Sequence, residues 1–273
     1  MLAERLSWGP MASLAQRAHV RVRGLEIDSE GIIPDAFEAA CLKERPKALY
    51  CNPTDHNPTT AVMSETRRRE LIDIARRHSV LIIEDDTLGR LVSDAPPPLA
   101  AMAPDVVWYI MGLTKCLAHG LRMAYVVAPS ATEMESVFGP ARRLSFWAPA
   151  ALSAAIATYW IEQGTAEAIC AAIRDESRER VQLARRILDG ADLAATSEAL
   201  HVWLRLDASR DRHDFVASLE RQGVLVRPSD LFAVDGDPPE NAVRLSLSSP
   251  PSRAEVECGL RTVASTLGLV SSS

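Results

Sequence analysis

No CxxC pair and no HxxH or HxxxH pair occurs in this sequence, although it carries 5 cysteines and 6 histidines. The cysteines (Cys41, Cys51, Cys116, Cys170 and Cys258) are odd in number and dispersed. That spacing argues against a zinc site or a disulfide framework and fits a reducing cytoplasm. An excess of positive charge is also missing. A net charge of -6 gives no electrostatic drive toward nucleic acid or an anionic membrane. No apolar run is long enough, and free enough of charge, to cross a bilayer. The stretch from Met1 to Trp8 has no basic segment leading into an apolar one, so no secretory leader is expected.

What is present is ordinary for a soluble globular protein: 47% hydrophobic and 24% charged residues. At 273 residues the chain exceeds a typical single domain, so one large and one smaller domain are expected. Strands are expected at Val20–Leu25, Ala48–Cys51, Val80–Ile83, Val106–Met111 and Tyr125–Val127. Helices are expected between them at Pro34–Lys43 and Ser64–His78, the second capped by Ser64. Apolar strands alternating with helices indicate a parallel-rich α/β sheet covered on both faces, with ligands beyond the C-terminal strand ends. The second half reads differently. A helical stretch from Pro149 to Leu188, broken near Gly164, carries a charged run from Arg174 to Arg180 that reads as a solvated face. Strands at Leu200–Leu206, Val224–Val226 and Val243–Leu247, with helices at Asp211–Gly223 and Ser252–Leu267, complete an α+β module.

Four sites at strand ends carry the chemistry. Lys115 closes Gly112-Leu113-Thr114-Lys115, directly after the apolar Val106–Met111 run. A lysine there, desolvated and near the cation Arg122, is able to act as a free amine and form a Schiff base. The blander reading is a solvated surface lysine. Cys116 beside it reads as a small packed side chain. Glu84-Asp85-Asp86 ends another apolar strand, where a carboxylate can pair with a protonated ring nitrogen, cap a helix, or bind a divalent metal. Asn57-Pro58-Thr59 is by itself a turn tripeptide. Arg122 offers a planar fork for phosphate. Arg244 lies on a late apolar strand, where its charge answers either a substrate carboxylate or an internal ion pair.

Taken together these stretches resemble the fold-type I, pyridoxal-phosphate-dependent aminotransferases of class I/II. The branch of 2-aminoadipate-type aminotransferases and GntR-type (MocR-like) regulators is most similar. The family reads Asn-Pro-Thr-Gly, then Glu-Asp-Asp-x-Tyr, then Ser-Lys-x-x-x-Pro-Gly-Leu-Arg. Here the corresponding residues run Asn57 to Thr60, Glu84 to Thr87 and Thr114 to Arg122. The resemblance implies pyridoxal 5'-phosphate as cofactor, with Lys115 as the imine-forming catalytic residue. It implies cofactor contacts from Asp85 to the ring nitrogen, from Asn57 to the ring oxygen and from Arg122 to the phosphate. Thr114 is a further cofactor neighbour on the same ground, Trp8 is either the family's cofactor-side aromatic or a packing tryptophan, and Arg244 holds the substrate carboxylate. It implies transamination between an amino acid and a 2-oxo acid by a cytoplasmic homodimer. The alternative is a non-catalytic effector module of a regulator that binds the cofactor or an amino acid.

The expected division is a cofactor-binding large domain over residues 1–160, incomplete at its N-terminus, and a small α+β domain over 161–273. The family's glycine-containing phosphate loop precedes the Trp8 stretch, so weak cofactor binding is expected. Four positions depart from the pattern. Gly112 stands for a serine or threonine, Thr60 for glycine and His119 for proline, and no tyrosine follows Asp86 at the usual place.

Overall fold

The computed structural model describes residues 1–143, 149–236 and 240–269. Along the chain come β1 (Leu2–Glu4), α1 (Gly9–Arg17), β2 (Arg23–Leu25), β3 (Ile27–Asp28), β4 (Gly31–Ile32), α2 (Pro34–Glu44) and β5 (Ala48–Cys51). Next are α3 (Glu65–His78), β6 (Leu81–Asp85), α4 (Leu99–Met102), β7 (Val107–Gly112), α5 (Leu113–Cys116), β8 (Ala124–Val127) and α6 (Ala131–Arg143). Then follow α7 (Ala151–Glu162), α8 (Thr165–Ile187), β9 (Asp192–Ala194), β10 (His201–Arg205) and α9 (Arg212–Arg221). Finally come β11 (Arg227–Pro228), β12 (Ala242–Ser246) and α10 (Arg253–Leu267).

The elements form two compact units. The first comprises Met1–Glu4, Leu25–Thr54 and Val62–Ile173; the second comprises Arg5–Gly24, Asp55–Ala61 and the chain from Arg174 onward. Residue 160, the expected boundary, lies inside α7, while the units separate within α8. Between α7 and α8 the helix breaks where expected, with Gly164 at φ 71°.

In the first unit, β1, β5, β6 and β7 run parallel and β8 closes the edge antiparallel. One sheet face buries Leu49, Ile82 and Val107 in a core with Phe37 of α2, Leu71 and Ile72 of α3 and Leu99 of α4. Each such side chain, removed from water, contributes roughly 1.5–3 kcal/mol. On the other face, Leu81, Ile83, Trp108 and Ile110 line an apolar cavity of about 420 Å³ together with Val137 and Phe138 of α6. Helix α3 starts as expected, with the Ser64 hydroxyl accepting the Arg67 N–H at 3.3 Å.

The second unit is built on an antiparallel sheet ordered β11-β12-β10-β9. Val202, Leu204, Val243 and Leu245 of this sheet pack with Phe215 and Leu219 of α9 and with Val256 and Leu260 of α10. Three expectations are corrected here and upstream. The strand expected from Val20 is confined to Arg23–Leu25. Val224–Val226 is not a strand, because the Val224 N–H is drawn back to the Leu219 carbonyl of α9, and pairing starts only at Arg227. The charged run is more than a solvated face: Arg180 is buried and donates to the Leu247 and Pro250 carbonyls at 2.6 and 2.8 Å.

Candidate functional site

In the first unit, the end of β6 places three consecutive carboxylates in three environments, because successive strand residues face opposite ways. Glu84 is buried and accepts the N–H groups of Leu99 and Ala100, both at 2.9 Å, so it caps α4. Burial pushes its carboxyl up to about 7, against the pull of those two donors and of Arg68. Asp86 is buried too, and accepts the Tyr109 hydroxyl at 2.8 Å. Its carboxyl is raised by burial, with the hydrogen bond from Tyr109 and the Arg68 charge opposing. Asp85 points the other way. Its Oδ2 accepts the Tyr50 hydroxyl at 2.6 Å, and its Oδ1 accepts the Thr87 hydroxyl and N–H at 2.6 and 3.2 Å.

Lys115 and Thr114 lie on α5, the single turn that follows β7, and both are half-buried. Strand β7 pairs with β6, Ile110 standing opposite Asp85, so Lys115 and Asp85 occupy the same C-terminal edge of neighbouring parallel strands. Gly112 begins this turn. A Cβ there would stand 3.2 Å from the Thr87 hydroxyl, so Thr87 fills the space that a side chain at 112 would use. Arg122 is exposed and holds a left-handed backbone, φ 50°, after the turn at His119–Leu121.

Asn57, Arg244 and Trp8 belong to the second unit. The Arg244 Nη1 donates to Asn57 Oδ1 at 2.7 Å, which fixes the acceptor end of that amide. The Arg244 guanidinium also lies over the Phe232 ring, 5.1 Å from its centroid. Burial lowers its proton affinity, and the neighbouring Arg227 charge adds to that. Asn57 sits in a loop closed by the His56 N–H on the Ala61 carbonyl at 2.9 Å. Thr60 in that loop has φ 64°, a costly conformation for a β-branched residue, at the position where the family pattern has glycine. Trp8 caps α1 and is 42% exposed. The structure therefore joins Asn57 to Arg244, and places Asp85 and Lys115 along one sheet edge.

Sequence reasoning missed Tyr50, Thr87 and Glu4. The signal for Tyr50 was its parity: on β5 it stands in register with Ile83, on the face that carries Asp85. Glu4 is buried and its Oε1 accepts the Asn52 N–H at 2.9 Å, while the Asn52 side chain donates to the Asp85 carbonyl. Burial, above all, pushes the Glu4 carboxyl up to about 8 from an ordinary 4.5. A raised folded pKa means that the folded protein keeps a proton the unfolded chain releases. The resulting stability is present below about pH 4.5 and is lost as pH rises through about 8. Glu4→Gln is therefore expected to lessen the fall in urea-denaturation stability between about pH 5.5 and 8.5 by one to a few kcal/mol. Asp55 and Glu84, pushed up to about 7 by burial, keep part of the slope. An unchanged slope in the variant would show that Glu4 is ionised in the folded protein.

Residues 1–262 match the pattern of the family described as aminotransferase class I and II. The chain belongs to that family. Among its relatives is the HTH-type transcriptional regulator YdeF of Bacillus subtilis. It is 31% identical over 250 residues, with 92% of this chain and 54% of the regulator covered. The mitochondrial kynurenine/alpha-aminoadipate aminotransferase of Rattus norvegicus is 26% identical, with 81% of this chain and 57% of that one covered. An archaeal alanine:glyoxylate aminotransferase superposes with a TM-score of 0.88 at 26% identity, covering 98% of this chain and 69% of that one. LysN of Thermus thermophilus, solved with N-(5'-phosphopyridoxyl)-L-leucine, gives 0.89 at 22% identity, over 98% and 70%. The fold is thus that of the fold-type I transferases, and the chain spans about half the length of the curated relatives it matches.

Proposed function

We propose that this chain binds pyridoxal 5'-phosphate and carries the aminotransferase site of its family, moving an amino group between an amino acid and a 2-oxo acid. The observation that carries the reading is the placement of Asp85 and Lys115 at adjacent parallel strand ends. The donor set fits the cofactor. Asp85 is oriented by Tyr50 and Thr87 to present a carboxylate to a ring N–H. When bound, the cofactor supplies an electron sink for charge developing at the substrate Cα. Lys115 gives the amine that holds it and moves the Cα proton. Arg122 serves the phosphate, Asn57 the ring oxygen and Arg244 the substrate carboxylate, with Thr114 and Trp8 flanking. A cytoplasmic homodimer is part of the same proposal.

The test is borohydride reduction of the chain mixed with pyridoxal phosphate, followed by peptide mapping. A pyridoxyl label on Lys115 is expected; a label confined to Lys43 or Lys47 would remove the assignment. A second reading, an effector module that binds without turnover, is favoured by the HTH-type regulators among the relatives. Turnover with a panel of amino acids and 2-oxo acids separates the two: the aminotransferase reading expects it, and labelled protein without it is the module.

A further inference from the structure

At two neighbouring junctions of the first unit's sheet, a side chain continues a ladder where the main chain leaves it. The pairing of β1 with β5 ends at Ala3 opposite Tyr50, and that of β5 with β6 ends at Cys51 opposite Glu84. Just beyond the first end, the buried Glu4 carboxyl accepts the Asn52 N–H at 2.9 Å. Just beyond the second, the Asn52 side-chain amide donates to the Asp85 carbonyl. Glu4, Asn52 and Asp85 thus form one hydrogen-bonded row across the C-terminal ends of three parallel strands. The row leads to the Asp85 carboxylate, whose two oxygens are turned by the Tyr50 and Thr87 hydroxyls, each at 2.6 Å. Pro53 follows Asn52 and restricts its backbone to extended conformations, so the turn has little freedom to replace a lost bond. Both Glu4 and Asn52 are buried, where an N–H or carbonyl without a partner is costly. Burial pushes the Glu4 carboxyl up to about 8, so near pH 7 it is largely an uncharged acid and glutamine is its close mimic. The Asp85 charge also acts on it, which places the two carboxyls within each other's field.

We propose that Glu4 is a positioning residue: through Asn52 it holds the main chain of Asp85, so that the Asp85 carboxylate meets the ring nitrogen of the cofactor. The proposal rests on the reading of Asp85 as that partner. The probe is pyridoxamine 5'-phosphate, which carries the ring nitrogen and the phosphate but forms no imine with Lys115. Its dissociation constant is measured by calorimetric titration near pH 7. Wild type is compared with Glu4→Leu, Glu4→Gln, Asp85→Asn and the double variant Glu4→Leu/Asp85→Asn. Glu4→Leu is expected to weaken binding by about 10- to 100-fold, because the Asn52 N–H loses its acceptor. Glu4→Gln keeps an acceptor oxygen and is expected to restore most of that loss. Asp85→Asn is expected to weaken binding, and the double variant to bind no more weakly than Asp85→Asn alone. Such non-additivity marks a residue that acts through another, and a purely structural role for Glu4 would not produce it. Asn52→Ala cuts the second link and leaves Glu4 in place, so it serves if Glu4→Leu does not fold. It is expected to weaken the probe to a similar degree, again without adding to Asp85→Asn. If Asp85→Asn weakens binding while Glu4→Leu or, in its place, Asn52→Ala binds as wild type, the proposal falls and the reading of Asp85 stands. The same holds if the losses multiply in the double variant, or if Glu4→Gln binds as weakly as Glu4→Leu. If Asp85→Asn leaves binding unchanged, or wild type does not bind the probe, the reading of Asp85 falls and the proposal with it.

Discussion

A chain carrying Lys115→Ala is expected to lose the near-visible absorbance band that wild type develops on mixing with pyridoxal phosphate. A covalent linkage between the cofactor and a protein amine shifts the band to longer wavelength than that of the free aldehyde, and Lys115 stands at the strand edge shared with Asp85. Turnover in the variant is expected to fall by at least two to four powers of ten, the usual weight of one positioned proton-transfer group. Loss of the amine as the point of attachment adds to that. The effect on folding should be small, because residue 115 is a half-buried position on a single helical turn. Denaturation midpoints of the two proteins are thus expected to agree within about 0.5 kcal/mol. A variant that keeps both the band and the turnover would require another lysine to be the reactive one. Loss of the band with unchanged stability ties the chemistry to this side chain.

The alternating first half of the fold was legible because apolar runs, proline and glycine breaks and the Ser64 cap all obey local rules. Ser64, Asp211 and Ser252 each accept helix N–H groups where the sequence placed helix starts. Short elements escaped. β1 is only Leu2–Glu4, and its pairing with Leu49 and Tyr50 is long-range, so no local periodicity announces it. The candidate site was half legible. Lys115, Asp85, Asn57 and Arg244 sit in recognisable stretches, but the groups that orient them are set by tertiary register. Tyr50 reaches Asp85 across 35 residues and Arg244 reaches Asn57 across 187. Thr87 has its meaning only beside Gly112, whose missing side chain leaves the room that the Thr87 hydroxyl occupies.

Arg68→Ala is expected to destabilise the protein by about 3–5 kcal/mol, the usual result of stripping one partner from a buried ion pair. Arg67, Arg68 and Arg69 follow one another on α3, yet helical rotation sends them to different surroundings. Arg67 pairs with Asp28 at 3.0 Å, and Arg69 pairs with Glu65 on the exposed side. Arg68 is 0% exposed. Its Nε donates to the Met63 carbonyl at 3.0 Å, and its Nη atoms to the Pro53 and Pro97 carbonyls at 3.1 and 3.2 Å. A fourth bond reaches the Thr54 hydroxyl at 2.7 Å, and Glu84 lies 3.7 Å away. Burial pulls the proton affinity of Arg68 down, with the Glu84 and Asp86 charges restoring part of it. Removing the guanidinium strands three carbonyls and leaves Glu84 without its cation in a site from which water is excluded. Those carbonyls belong to the loops after β5 and before α4. The Arg68 charge also acts on Asp86, the residue next to Asp85. The variant should therefore lose order at the same strand ends that carry the candidate site, and cofactor binding should weaken along with stability. Arg69→Ala is the control, and urea denaturation should place it within about 0.5 kcal/mol of wild type because its ion pair is solvated. Equal effects at positions 68 and 69 would mean that the buried network does not hold these loops.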